Sequence, residues 1–135
     1  MDPVVHFEMP YDDKNRMTNF YGQAFGWRSQ ALGPEFGGYV VMSTTEIDEQ
    51  TKFPLKPGRI NGGFFERTKS DQYPGVVIAV ADIRAAMRKV EAAGGKVIGG
   101  GHQAGEPDDI PGVGLYISIF DTEGNRVGML EPKGM

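Results

Sequence analysis

The chain has 135 residues, with 39% hydrophobic and 24% charged residues, a net charge of −4 and no cysteine. That length fits one globular domain, with no disulfide, thiolate metal site or cysteine nucleophile. The acidic balance excludes nucleic acid and anionic membrane as partners, since phosphate binding needs a basic surface. The longest apolar run, Val76–Ala81, is far short of the roughly 20 residues that span a bilayer. No apolar signal segment precedes the first strand, so a cytoplasmic protein is expected.

Val4–Met9 (VVHFEM) reads as a short buried strand ending at Pro10. Period-two alternation puts Val5, Phe7 and Met9 on one face, and Val4, His6 and Glu8 on the other. The first face calls for a helix; the second carries titratable groups. Asp12 or Asp13 caps the helix that follows, with Met17, Phe20, Tyr21 and Ala24 as its apolar stripe and Gly26 as its stop. Phe20, Tyr21, Phe25 and Trp27 read as core.

Trp27–Leu32 and Gly38–Thr44 read as strands around a turn-rich segment, and Ile60–Glu66 as a fourth strand. Its Gly62-Gly63 pair signals a bulge or a close backbone approach. The intervening polar segment, 45–59, has the length of a lid or flap. Beyond a polar linker from Arg67 to Pro74 the pattern starts again. Val76–Val80 is a strand, Asp82 caps a helix with Ile83, Ala86, Met87 and Val90 as its stripe, and Gly94-Gly95 ends it. Lys96–Gly99, Gly112–Phe120 and Arg126–Glu131 complete the strands, with 100–111 as a loop and Asp121–Asn125 as a turn.

A constant offset of 69 pairs Asp13 with Asp82, Tyr21 with Val90 and Gly26 with Gly95. The order βαβββ therefore occurs twice, and such a repeat fixes the architecture. The expected fold class is α+β: tandem βαβββ modules forming a cupped mixed sheet. Residues 1–135 make one domain, with module one at about 1–68 and module two at about 72–133. Under the same offset His6 corresponds to Gly75, while Glu66 and Glu131 end equivalent strands at an offset of 65.

The blocks HFEM and FYGQAFGW, the Val80-Ala81-Asp82 helix start and the segment Phe120–Asn125 resemble the glyoxalase I/bleomycin-resistance/extradiol-dioxygenase superfamily, the vicinal oxygen chelate proteins. The resemblance implies a glyoxalase-like small-molecule-binding protein and a metal site drawn from four strands. Carried over by position, His6 and Glu131 match ligands and Glu66 is a third candidate. Gly75 departs from the pattern, because glycine has no side chain to offer. Glu66 and Glu131 are then also the candidate catalytic carboxylates, and Glu8 and His102 candidate substrate-binding groups.

One imidazole and two carboxylates suit Zn, Ni, Co, Mn or Fe(II). A cation would also relieve the repulsion of roughly 4 kcal/mol between carboxylates about 4 Å apart at an effective dielectric of about 20. The functional expectation is a divalent-metal-dependent lyase or isomerase acting on a vicinal-oxygen substrate, in preference to an extradiol dioxygenase. The alternatives are a metal-free, small-molecule-sequestering protein of bleomycin-resistance type and a non-catalytic structural dimer. The two small modules, with sheet edges to cover, predict a homodimer.

Overall fold

The computed structural model describes residues 1–133. Nine strands and two α-helices form among them: β1 (Val4–Tyr11), α1 (Lys14–Phe25), β2 (Arg28–Ala31), β3 (Val40–Ser43), β4 (Asn61–Glu66), β5 (Gly75–Ala79), α2 (Ile83–Ala92), β6 (Lys96–Gly99), β7 (Asp108–Ile110), β8 (Gly114–Phe120) and β9 (Arg126–Pro132). The repeated βαβββ order is present, with β7 inserted in the second copy. No described helix is long and apolar enough to cross a membrane. The chain divides into two compact units, His6–Pro74 and Met1–Val5 together with the chain from Gly75.

In the first unit the strand order is β2-β3-β4-β1. β1 and β4 run parallel, with His6 opposite Asn61 and Tyr11 opposite Glu66, while β2–β3 and β3–β4 are antiparallel. β1 continues through Pro10 to Tyr11, two residues beyond the sequence expectation. Asp13 caps α1 by accepting the Arg16 N–H, and Gly26 ends the helix in the left-handed region at φ 74°. The core is Tyr11, Val40, Met42 and Phe64, with Phe7, Met9, Met17, Tyr21 and Trp27 packed against it. Trp27 stacks on Tyr21 at 4.7 Å and Phe7 lies 5.5 Å from Trp27.

Phe20 and Phe25 depart from expectation: they are 56% and 62% exposed. From α1 it is Met17 and Tyr21 that pack against the core, while Phe20, next to Tyr21, and Phe25, in the last turn, stay exposed. The Phe20 and Phe25 rings instead pack on each other and on Tyr21.

The segment 45–59 is an organised loop. Asp48 Oδ1 accepts the Gln50 and Thr51 N–H groups, and Ile47 bridges to Pro54. Its neck is clasped where Thr44 Oγ1 donates to Ile60 O at 2.6 Å.

In the second unit the order is β5-β9-β8-β6, with β7 paired to β8. β5 and β9 are parallel, and β8 is antiparallel to β6, β7 and β9. Asp82 caps α2 through the Ala85 N–H. Val80, Ile83, Ile117, Ile119 and Met129 form the core, joined by Ala86, Met87 and Val90 from the predicted stripe. The left-handed residue after α2 is Gly94 (φ 100°). Gly95 is needed for space, since a Cβ there would lie 2.8 Å from Phe120 O. The first residues of the chain join this unit through the Ala79 N–H, which donates to Pro3 O at 2.9 Å.

Candidate functional site on the sheet of the first module

Strand parity sorts the predicted residues. Phe7 and Met9 pack with α1, so His6 and Glu8 occupy the opposite face of the sheet. Neighbouring positions in register share a face, which puts Asn61, Gly63 and Val41 with His6 and Glu8. Tyr39, two residues before Val41, belongs to the same face. Its Oη lies 3.0 Å from His6 Nε2.

The Gly62-Gly63 pair makes this possible. The β1–β4 register runs through both glycines without a shift, so there is no bulge. They are close approaches on opposite faces: a Cβ at 62 would lie 2.4 Å from the Phe7 ring, and one at 63 would lie 1.9 Å from Tyr39 Oη. Sequence reading had missed Tyr39, although a Gly-Gly pair in a strand is the signal for such a ring.

The second module repeats the device without its histidine. A Cβ at Gly128 would meet Tyr116 Oη at 2.6 Å. Tyr116 stands two residues before Ser118, the partner of Gly128, as Tyr39 stands before Val41, the partner of Gly63. Gly75 occupies the position of His6, and a Cβ there would come within 3.0 Å of Arg126 O.

Burial holds the His6 imidazole below its ordinary pKa of 6.5, partly opposed by the negative charge of Glu8. His6 is therefore neutral at pH 7. Because the folded state disfavours its protonation, stability is expected to fall as pH drops below 6.5 towards the folded value, and to level off below that. Chemical denaturation across pH 4.5–7.5 (about two units below to one above the free value) checks this: His6→Gln should remove that slope.

Glu66 lies on the other face. It is opposite Tyr11 in the register, five positions along from the His6–Asn61 pair, and so has the opposite parity. Its negative charge, after burial itself, raises the pKa of the Tyr11 phenol, which donates to Gly38 O at 2.7 Å. Glu131 in the second module follows Met129 on the face packed by α2. Its Oε1 accepts the Ile83 N–H at 2.9 Å, adding an acceptor and a negative charge to the helix N-terminus.

His102 is 92% exposed at its side chain. Its Nδ1 lies 2.8 Å from Asp108 Oδ1. Burial opposes ionisation of Asp108 but is outweighed by the Gly101 N–H and the His102 ring and N–H, so its pKa is lowered. This pair organises the 100–108 loop.

The structure thus brings together His6, Glu8 and Tyr39. It does not bring Glu66 to them, and it engages Glu131 at a helix terminus. Among the described residues no three of His, Cys, Asp or Glu are placed to hold a metal ion. Of the expected donors, His6 and Glu66 stand on opposite faces of the first unit's sheet, and Glu131 belongs to the second unit.

Residues 4–45 match the family model described as bleomycin resistance protein-like N-terminal. No curated protein matches the sequence. Among solved structures, methylmalonyl-CoA epimerase in complex with methylmalonyl-CoA and NH4+ is 13% identical, covering 99% of this chain and 96% of that one with a TM-score of 0.68. A variant methylmalonyl-CoA epimerase of Streptomyces coelicolor, bound to 2-nitronate-propionyl-CoA, is 14% identical over 97% of both chains, with a TM-score of 0.66. A hypothetical protein of Bacillus halodurans is 13% identical, covering 99% and 96%, with a TM-score of 0.65. The tandem βαβββ fold is thus shared with these structures over nearly the whole chain, and the first strands and helix are similar to the bleomycin resistance protein-like N-terminal family.

Proposed function

We propose that the protein is a metal-independent, small-molecule-binding protein of bleomycin-resistance type, acting as a homodimer, with its site on the face of the first module that carries His6, Glu8 and Tyr39. The observation that carries the reading is the parity of β1 and β4, which gathers an imidazole, a phenol and a carboxylate on one face and leaves Glu66 on the other. A few convergent polar groups that fix a ligand's orientation are the usual mark of a small-molecule site. A neutral imidazole beside a phenol offers hydrogen bonds to an oxygen-bearing ligand without presenting a cation. The acyl-CoA ligands of the structural neighbours support an oxygen-rich molecule as occupant.

Calorimetry on chelator-treated protein tests the reading, with bleomycin and methylmalonyl-CoA as organic probes and Zn, Ni, Co and Mn salts as metal probes. The expected result is saturable heat from an organic probe, lost in His6→Ala and Tyr39→Phe, and no tight metal binding. Glu131→Ala should leave that heat unchanged while lowering stability by about 0.5–2 kcal/mol through the lost helix cap. Submicromolar binding of a metal ion, abolished by Glu66→Ala or Glu131→Ala, would overturn the proposal.

A further inference from the structure

The polar face extends across the sheet from His6. Continued one position past its last pair, Met42–Gly62, the β3–β4 register puts Ser43 beside Asn61, and Ser43 in turn is opposite Arg28 on β2. One row therefore runs His6, Asn61, Ser43, Arg28, and the next runs Glu8, Gly63, Val41, Gln30. Asn61 Oδ1 accepts the N–H groups of both Thr44 and Thr45, at 2.7 and 3.0 Å, which fixes the amide and turns its NH2 away from the loop. Among the described residues that NH2, the Ser43 hydroxyl and the Arg28 guanidinium donate to no protein group, and Arg28 is exposed. On β2, β3 and β4 this face carries hydrogen-bond donors and no carboxylate. With strands about 4.8 Å apart, Asn61 to Arg28 covers about 10 Å.

We infer that Asn61, Ser43 and Arg28 form an oxyanion subsite, which takes a carboxylate or phosphate group of a ligand whose other end rests against His6 and Tyr39. The inference builds on the site proposed above. A row of unsatisfied donors ending in a guanidinium complements an acceptor-rich anion, and arginine binds both carboxylate and phosphate in a fixed fork. An arginine that merely protects an edge strand would sit beside residues of any polarity and would not need a clamped amide next to it.

NMR on the full-length, 15N-labelled protein tests this, following Arg28 Nε–H, the Asn61 NH2 and the His6 ring. Succinate, inorganic phosphate and uncharged succinamide are the small probes. Either anion should shift Arg28 and Asn61 and bind about 10-fold more tightly than succinamide. Arg28→Gln should remove that preference, and Arg28→Lys should restore part of it. Phosphate binding more tightly than succinate identifies a phosphate-bearing ligand; the reverse order identifies a carboxylate. If neither anion shifts these signals, or Arg28→Gln binds them as the wild type does, the subsite is wrong. If methylmalonyl-CoA or bleomycin moves His6 without Arg28 and Asn61, the subsite fails and the His6 site stands. If the anions move Arg28 and Asn61 while no probe reaches His6, the subsite stands and the His6 site fails.

Discussion

Phe64→Ala is expected to lower the unfolding free energy by about 3–5 kcal/mol, a large share of the about 5–15 kcal/mol that holds a small domain folded. Phe64 is 0% exposed, its ring centroid is 5.5 Å from that of Tyr21, and it stands opposite Met9 on β1 and Val40 on β3. Removing the ring empties the centre of the first module's core, where close packing allows only partial collapse. Urea denaturation with linear extrapolation measures the loss. Phe20→Ala is the control. Its side chain is more than half exposed, so a loss below about 1 kcal/mol is expected. Equal losses for the two variants would contradict the placement of α1.

Gly63→Ala is expected to destabilise by about 1–3 kcal/mol and to break the contact between Tyr39 and His6. The added methyl would sit 1.9 Å from the phenol oxygen. The ring must leave, or the strands must part. Tyr39→Ala frees that space, so the double variant should recover part of the loss. A double-mutant cycle should return a coupling of about 0.5–3 kcal/mol between positions 39 and 63. Strictly additive losses would show that the ring does not occupy that space in solution.

The residues that were legible in the sequence are those whose fate is local. Alternation along Val4–Met9 placed Phe7 against the helix and His6 on the other face because period two needs no partner strand. Asp13 and Asp82 could be read as caps, and the offset of 69 exposed the repeat. Glu66 was not legible. Its face depends on which residue of β4 meets which residue of β1, and a register shift of one position would reverse it. Glu131 was obscured for a different reason. The helix it caps already had Asp82, so nothing local called for a second acceptor from a strand 48 residues further on. Tyr39 could have been found from Gly63 only with the β3–β4 register in hand. β7 escaped because three residues, two of them aspartate, give no periodicity inside a glycine-rich loop.

The bond from the Ala79 N–H to Pro3 O makes the fold discontinuous in sequence. The segment from Met1 to Val5 is synthesised before the rest of the first module, yet it belongs to the unit that follows that module in the chain. During translation those residues wait for β5 while the first module already has all of its own strands. A piece expressed from Gly75 onward would begin without its acceptor at Pro3, so cutting the repeat at its apparent midpoint does not yield two whole modules. Grafting or shuffling experiments on this chain would need to carry its first five residues along with its second half.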